Sequence, residues 1–527
     1  MAIWEFFFSP LTLGLGGICF ALFLVSDSWK KTYFRRHGIP GPRPLPILGN
    51  MLDCSEGMAE NLCNMRDEYG KVFGLNFIGS NTLVIGDLDM LQEVFISRFS
   101  AFPNHRQLPV KETPMDSAIN NLRDSQWKDV RNVLTPAFSG KKMKQMNSII
   151  NECCDQLLEH VEEQRLKGTV IQFKSLYGSY SMDVIASTFF GLKVDSQKNP
   201  DDPFVKHARK CFETSLFSFR LLAIFLLPFL GPLFDALDIG LFVKEVKVFF
   251  HSVIHKMVAA RKAGTEKRLD MLQLMVNAHN LDATADKKDD EDEVDKLVDV
   301  KLKNETSGKQ KRELTTDSIT ANSMMFFLAG YETTNAAMCF SSYLLATHPD
   351  KQETLIDEID SHCPTPESVQ YDVLRKMEYL DCFVRESLRI FPPVATADRY
   401  CDSDATVNGY EIEKGSILMV PIYAVHHDPD VWEDPKEFKP ERFNKENRGS
   451  IHPAAWLPFG IGPRNCLGMR LALMELKFGL IRMLQKYRFE TCDETEIPPV
   501  LGKSTGFLCP PNGIKLKVKL RESKVLD

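Results

Sequence analysis

Cys466 stands in the run Phe459, Gly460, Ile461, Gly462, Pro463, Arg464, Asn465, Cys466, Leu467, Gly468, and no other stretch restricts the fold as much. Glycines at Gly460, Gly462 and Gly468 admit φ angles and close backbone approaches that a Cβ forbids, while Pro463 fixes part of the turn. Such a loop presents one sulfur to something large and flat, with backbone N–H groups directed at it. Only the thiolate is a good metal ligand, and donors of this kind, with Arg464 nearby, favour its ionisation. The largely apolar run Leu471 to Leu484 reads as a helix whose N-terminus faces the sulfur and favours its negative charge. The plainer alternative is a buried structural cysteine in a glycine-rich turn, a common state of free thiols.

Other clusters are spaced to act with that sulfur. Trp127 and Arg131, four apart, share a helix face, where the guanidinium can hold a carboxylate and the indole N–H adds a further donor. In isolation the pair reads as a surface cation–π contact. Asp317 to Thr347 is mostly apolar and free of proline, which predicts one long buried helix ending before His348 and Pro349. Its middle carries a polar notch: Ala329, Gly330, Tyr331, Glu332, Thr333, Thr334. Gly330 removes a side chain where something lies close, and Thr333 can bond an earlier carbonyl and open the ladder. An acid and a hydroxyl so placed can relay protons; on its own, the notch is a helix-packing site. Glu386 and Arg389, three apart, meet on a helix and leave guanidinium donors for a third partner. As an ordinary surface pair they are worth under about 1 kcal/mol.

The cysteine run resembles the haem-binding loop of the cytochrome P-450 haem-thiolate monooxygenases, and the other clusters resemble that family's motifs in the same order over almost the whole chain. The resemblance implies a mainly α fold with small β-sheets, with haem between the long helix and the cysteine loop. It makes Cys466 the axial ligand of haem b (iron protoporphyrin IX), a ligation that favours O–O cleavage. Trp127, Arg131, Arg399, Arg464 and Phe459 are implied haem contacts, and His105 and Arg106 occupy the place of a further propionate-binding arginine. Glu332 and Thr333 correspond to the acid–threonine pair that protonates oxygen. Met325, Leu328, Ala329, Val394 and Thr396 are the expected pocket wall. Glu386 and Arg389 would join Arg442, in the run Pro440, Glu441, Arg442, Phe443, as a structural lock.

The implied reaction inserts one atom of O2 into a lipophilic substrate. Gly462 to Gln485 and Pro421 to Pro429 most resemble the microsomal branch of nifedipine-oxidising drug-metabolising enzymes and thromboxane synthase, which implies steroids, fatty-acid-like compounds or foreign compounds as substrates. No flavin or nicotinamide site is apparent, so the implied electron sources are NADPH–cytochrome P-450 reductase and cytochrome b5. Lys128, Lys141, Lys142 and Lys144 are candidate docking contacts. A thromboxane-synthase-like endoperoxide isomerase is the nearest rival, disfavoured by Thr333; a membrane haem electron carrier or gas sensor has no use for the notch.

With 64 basic against 71 acidic residues and a net charge of -7, the 527-residue chain has no nucleic-acid signature. Its 13 cysteines are scattered, which fits reduced thiols. Phe6 to Val25 lacks charge and supplies the roughly 20 apolar residues that a helix needs to span a bilayer. Lys30, Lys31, Arg35 and Arg36 follow, which places the remainder on the cytoplasmic side. The expected organisation is a signal anchor over 1–28, a basic and proline-rich hinge over 29–50, and a catalytic domain over 51–527, held at the endoplasmic reticulum membrane. Leu75 to Ile85 and Ile412 to Val420 read as β-hairpins. Phe217 to Phe242 reads either as core or as a roof that dips into lipid. Asp282 to Arg312 reads as a solvated charged loop, and its sequon Asn304, Glu305, Thr306 is not expected to be used on the cytosolic side.

Overall fold

Thr315 begins the element that frames the molecule: its hydroxyl accepts from Ser318 N at 3.1 Å and caps a helix over Thr316–Thr347. Pro349 ends this long helix by forcing His348 out of helical geometry, to φ −128° and ψ 74°. Every residue from Thr334 to Ala346 is buried. In this computed structural model the described residues are 10–55, 57–77, 79–107, 110–196, 198–199, 201–210, 223–224, 227, 230–240, 242–264, 270–277, 314–502 and 506–522. The charged stretch Asp282 to Arg312, its sequon, and part of Phe217 to Phe242 lie outside them.

Several helices pack around the long one. Phe173–Phe190 is buried along nearly its whole length and shares a 2.6 Å hydrogen bond between Tyr177 Oη and Ser342 Oγ. Glu378–Ile390 meets it through Ser341 Oγ and Ser387 Oγ, 2.8 Å apart. Met469–Lys486, which follows the cysteine, packs so closely that a Cβ on Gly479 would stand 2.6 Å from Met338 Cε. The apolar cluster joining these helices is the main core of a mainly α fold with small sheets.

The largest sheet has four strands: β1 (Val72–Phe77), β2 (Ser80–Ile85), β3 (Ala397–Tyr400) and β4 (Ile417–Val420), in the order β1-β2-β4-β3. The β1–β2 hairpin is antiparallel, with Phe77 opposite Ser80, as the sequence predicts. The second expected hairpin does not form. Tyr410–Ile412 pairs back with Ala405–Val407, while β4 joins β2 in parallel and β3 antiparallel. Gly415 N donates to Cys401 O rather than closing a turn between the two runs, so they enter different sheets.

The start of the expected anchor, residues 1–9, lies outside the described residues. A helix covers Pro10–Lys31, but among the described residues no helix is long and apolar enough to cross a membrane. Asp27 and Lys31 pair in the last turns of Pro10–Lys31 at 2.7 Å, and Asp27 Oδ2 also accepts from Ile47 N at 2.8 Å, tying the helix to the hinge. The hinge packs on β1, where Gly74 N donates to Pro40 O at 2.8 Å.

Candidate active site

The cysteine loop closes on its own backbone. Cys466 N donates to Phe459 O at 2.8 Å and Asn465 N to Gly462 O at 3.0 Å. Gly462 has a φ of 77°, and a Cβ there would stand 2.0 Å from Phe95 O, so glycine is required by both conformation and space. Gly468 is different: its φ of −86° suits any residue, and it simply precedes the helix Met469–Lys486. Arg131 reaches across from the helix Asp124–Leu134 and clamps the loop, with Nη1 on Asn465 O at 2.9 Å and Nη2 on Asn465 Oδ1 at 2.8 Å.

Cys466 is exposed only into a cavity of about 760 Å³, which it floors together with Phe459 and Leu467. Burial raises its thiol above the ordinary value, against the pull of the Gly468 N–H and Arg131. The cation acting on the sulfur is therefore Arg131. Arg464, expected in that role, is turned aside: Nη2 donates to Leu122 O at 2.8 Å and Asn104 Oδ1 at 3.3 Å, and its Cζ lies 4.4 Å from the Trp127 ring. A thiol so placed ionises when a metal ion displaces its proton.

The long helix forms the facing wall, contributing Met325, Leu328, Ala329, Gly330 and Thr333. Thr333 Oγ1 donates to Ala329 O at 2.6 Å, and Thr334 Oγ1 beside it is enclosed with no hydrogen-bond partner. Gly330 makes room for a neighbouring helix, since a Cβ there would stand 2.9 Å from Ile185 Cδ1. Glu332, about a quarter turn away from Thr333, is not on the wall. Its carboxyl faces Cys509 and Lys174, and burial raises its pKa. Val394 lines the cavity; Thr396 does not, and Ala397 stands there instead.

One edge of the cavity gathers cations. Arg399, Arg464, Arg131 and His105 line it, whereas Arg106 does not. Burial depresses Arg399 to about 10. Burial and the neighbouring Arg399 and Arg131 depress Arg464 to about 9. Nε of both Arg399 and Arg464 is buried without a hydrogen-bond partner. His105 Nδ1 lies 3.1 Å from Asp398 Oδ1, and burial lowers its pKa. Asp398 beside Arg399 and Asp124 beside Arg464 are fewer than these guanidiniums, so the edge can take further anions.

Behind the loop lies the lock. Glu386 and Arg389 are both 0% exposed and pair at 2.7 Å and 2.8 Å through two parallel hydrogen bonds. Arg442 Nε reaches Glu386 Oε1 at 3.3 Å, and Arg389 spends its spare donors on His426 O, Pro435 O and Glu437 O.

Sequence reasoning missed Asn465 as the partner of Arg131, and Glu475. Glu475 lines the cavity on the helix after the cysteine, with Oε1 unpartnered and burial pushing its pKa up to about 8. The available signal was one carboxylate inside an otherwise apolar helical run. A folded-state pKa above the unfolded value means that stability falls as pH rises from the unfolded to the folded value. Glu475→Gln is therefore expected to raise Tm, with a gain that grows between about pH 4.5 and the folded value of about 8. A pH-independent difference in thermal unfolding would refute this.

A thiol facing a helical groove, with a surplus of arginines along one edge, suits a flat prosthetic group that takes a sulfur ligand and carries two carboxylates. The chain belongs to the cytochrome P450 family, whose model, "Cytochrome P450", matches residues 39–518. It is 42% identical to cytochrome P450 3A6 of Oryctolagus cuniculus, covering 93% of each chain. It is 41% identical to cytochrome P450 3A9 of Rattus norvegicus over 98% of each, and 40% identical to cytochrome P450 3A13 of Mus musculus over 94% of this chain and 93% of that one. Members of the family bind haem, iron protoporphyrin IX, and this protein is a cytochrome P450 monooxygenase.

Proposed function

We propose that Cys466 is the axial ligand of the haem iron and that the chain oxygenates lipophilic small molecules, among them steroids, fatty-acid-like compounds and foreign compounds. The observation that carries this reading is the alignment of one cavity-facing thiol, the Ala329–Thr333 wall and the arginine edge around a single cavity. Arg399, Arg464 and Trp127 would hold the propionate edge, Arg131 would set the cysteine loop, and Phe459 would flank the sulfur. Haem held by a thiolate supplies the activation of O2 from which one oxygen atom enters the substrate and the other leaves as water.

The protein's own residues do the rest. Phe138, Phe189, Phe326, Met325, Leu328 and Val394 give an apolar wall that selects greasy substrates and excludes water. Thr333 commits its proton to Ala329 O, so its oxygen lone pairs are free to hold a proton-bearing water at the wall. Glu332, kept protonated more readily by burial, stands behind it as the acid and reaches it by side-chain rotation at the notch. Thr333→Ala is expected to uncouple turnover, with most NADPH-derived electrons leaving as peroxide. Glu332→Gln is expected to slow turnover roughly 10-fold or more without raising the peroxide share. Unchanged coupling in Thr333→Ala would remove this role.

Electrons arrive from NADPH–cytochrome P450 reductase on the cysteine side, where cytochrome b5 would compete for the same face. Lys128 lies on Asp124–Leu134, and Lys141, Lys142 and Lys144 on Gly140–Gln145, a helix that packs against the one following the cysteine; Lys144 already pairs with Asp372 at 3.0 Å. Residues 51–527 act as the catalytic domain, attached to the endoplasmic reticulum membrane through the N-terminal helix and hinge. The deciding experiment reconstitutes the full chain with reductase in vesicles and screens lipophilic probes. NADPH-dependent, salt-sensitive oxygenation is the expected result, and NADPH-independent rearrangement of an endoperoxide would reverse the assignment.

A further inference from the structure

The helix Lys244–Lys262 carries His251 and His255 one turn apart on the same face. Their rings stack with centroids 3.9 Å apart. Asp317, in the first turn of the long helix, brings Oδ1 to 3.3 Å from His255 Nε2 and 3.9 Å from His251 Nε2. The three donor atoms all lie within 4.8 Å of one another. Tetrahedral zinc with nitrogen ligands has donor–donor edges of about 3.3 Å, so one edge of such a site is already formed and the others need only small side-chain rotations.

A simple imidazole–carboxylate pair explains the arrangement less well. His255 Nε2 is enclosed yet makes no hydrogen bond, although the carboxylate is 3.3 Å away. Two imidazoles converging on a single carboxylate oxygen is also more than one ion pair requires, and it is the donor set that borderline-soft ions prefer. The side chains are open enough for an ion to enter: His251 is 47%, His255 35% and Asp317 68% exposed.

We propose that His251, His255 and Asp317 form a binding site for a divalent transition-metal ion of the zinc type, with water completing the coordination. Three protein ligands on exposed positions give a reversible site, and two imidazoles with one carboxylate do not suit calcium or magnesium, which take oxygen ligands. The histidines belong to one helix and the aspartate to another. A bound ion therefore ties the helix Lys244–Lys262 to the start of the helix that carries Thr333, and because it binds the folded chain it stabilises that state in proportion to its occupancy.

The test is equilibrium dialysis of the tag-free, haem-loaded full chain against zinc, with bound metal measured by mass spectrometry. One zinc per chain is expected to be lost in the His251→Gln/His255→Gln double variant. Binding of that same ion is expected to weaken at least 10-fold in Asp317→Asn. All variants should keep the parent haem content, which shows that they fold. Zinc should raise the parent's Tm and leave that of the double variant unmoved, and magnesium should do neither. Zinc stoichiometry and affinity unchanged in the double variant, or no zinc bound by the parent, overturns the proposal.

Discussion

Cys466→Ser is expected to abolish the red-shifted Soret band of the ferrous carbon-monoxide complex and to reduce NADPH-dependent oxygenation by more than about 100-fold, beyond the loss that even an outer partner of a metal ligand produces. The serine hydroxyl is smaller, far less acidic and a poor iron ligand, while every other wall residue stays in place. The cavity offers no second thiol: among the residues lining it Cys466 is the one cysteine. Haem content is therefore expected to fall as well, partly offset by the arginine edge, which can still hold carboxylates. A Cys466→Ser protein that keeps both band and turnover would end the ligand assignment. Arg131→Ala is the informative companion, since it frees Asn465 and removes the cation that opposes burial at the sulfur.

Arg389→Ala is expected to cost about 3–5 kcal/mol, the usual effect of stripping one partner from a fully buried ion pair. Against a typical total of about 5–15 kcal/mol, little folded protein survives. The reason is local. Glu386 would be left at 0% exposure with only Lys439 N at 2.9 Å and Arg442 at 3.3 Å as partners, and the carbonyls of His426, Pro435 and Glu437 would lose their donor. The damage should reach the cysteine loop. His426 sits between Arg389 and Leu457, accepting at Nε2 from Leu457 N at 2.8 Å while Nδ1 donates to Arg389 O at 3.1 Å. Arg389→Lys is expected to fail nearly as badly, because one ammonium cannot replace a fork that serves a carboxylate and three carbonyls. Denaturant unfolding and the carbon-monoxide spectrum read both effects; a loss under about 1 kcal/mol would make the lock an ordinary ion pair.

The parts of this protein set by local rules were legible in the chain. A proline-free apolar run bounded by a threonine cap and a proline gives the helix Thr316–Thr347 almost to the residue. Glu386 and Arg389 meet because a helix brings positions three apart together, and a glycine pair in the cysteine run turns where positive φ is needed. Failures came where the partner lies elsewhere in the chain. The run Ile412 to Val420 alternates like a hairpin, but β2, more than 300 residues earlier, captures Ile417–Val420 instead. Arg464 neighbours Cys466 in sequence and still points to Leu122 and Trp127, while Arg131 takes its place at the sulfur.

By itself, then, the sequence determined the helical framework, the cysteine turn and the residue types of the site, because capping, periodicity and glycine conformation act over a few bonds. Only the tertiary structure decided that Thr333 faces the cavity while Glu332 turns toward Lys174, that Gly330 accommodates Ile185, and that Glu475 is a buried carboxyl on the same cavity. Those outcomes depend on which surfaces meet once distant helices pack, and on the electrostatic cost of burying charge where they meet.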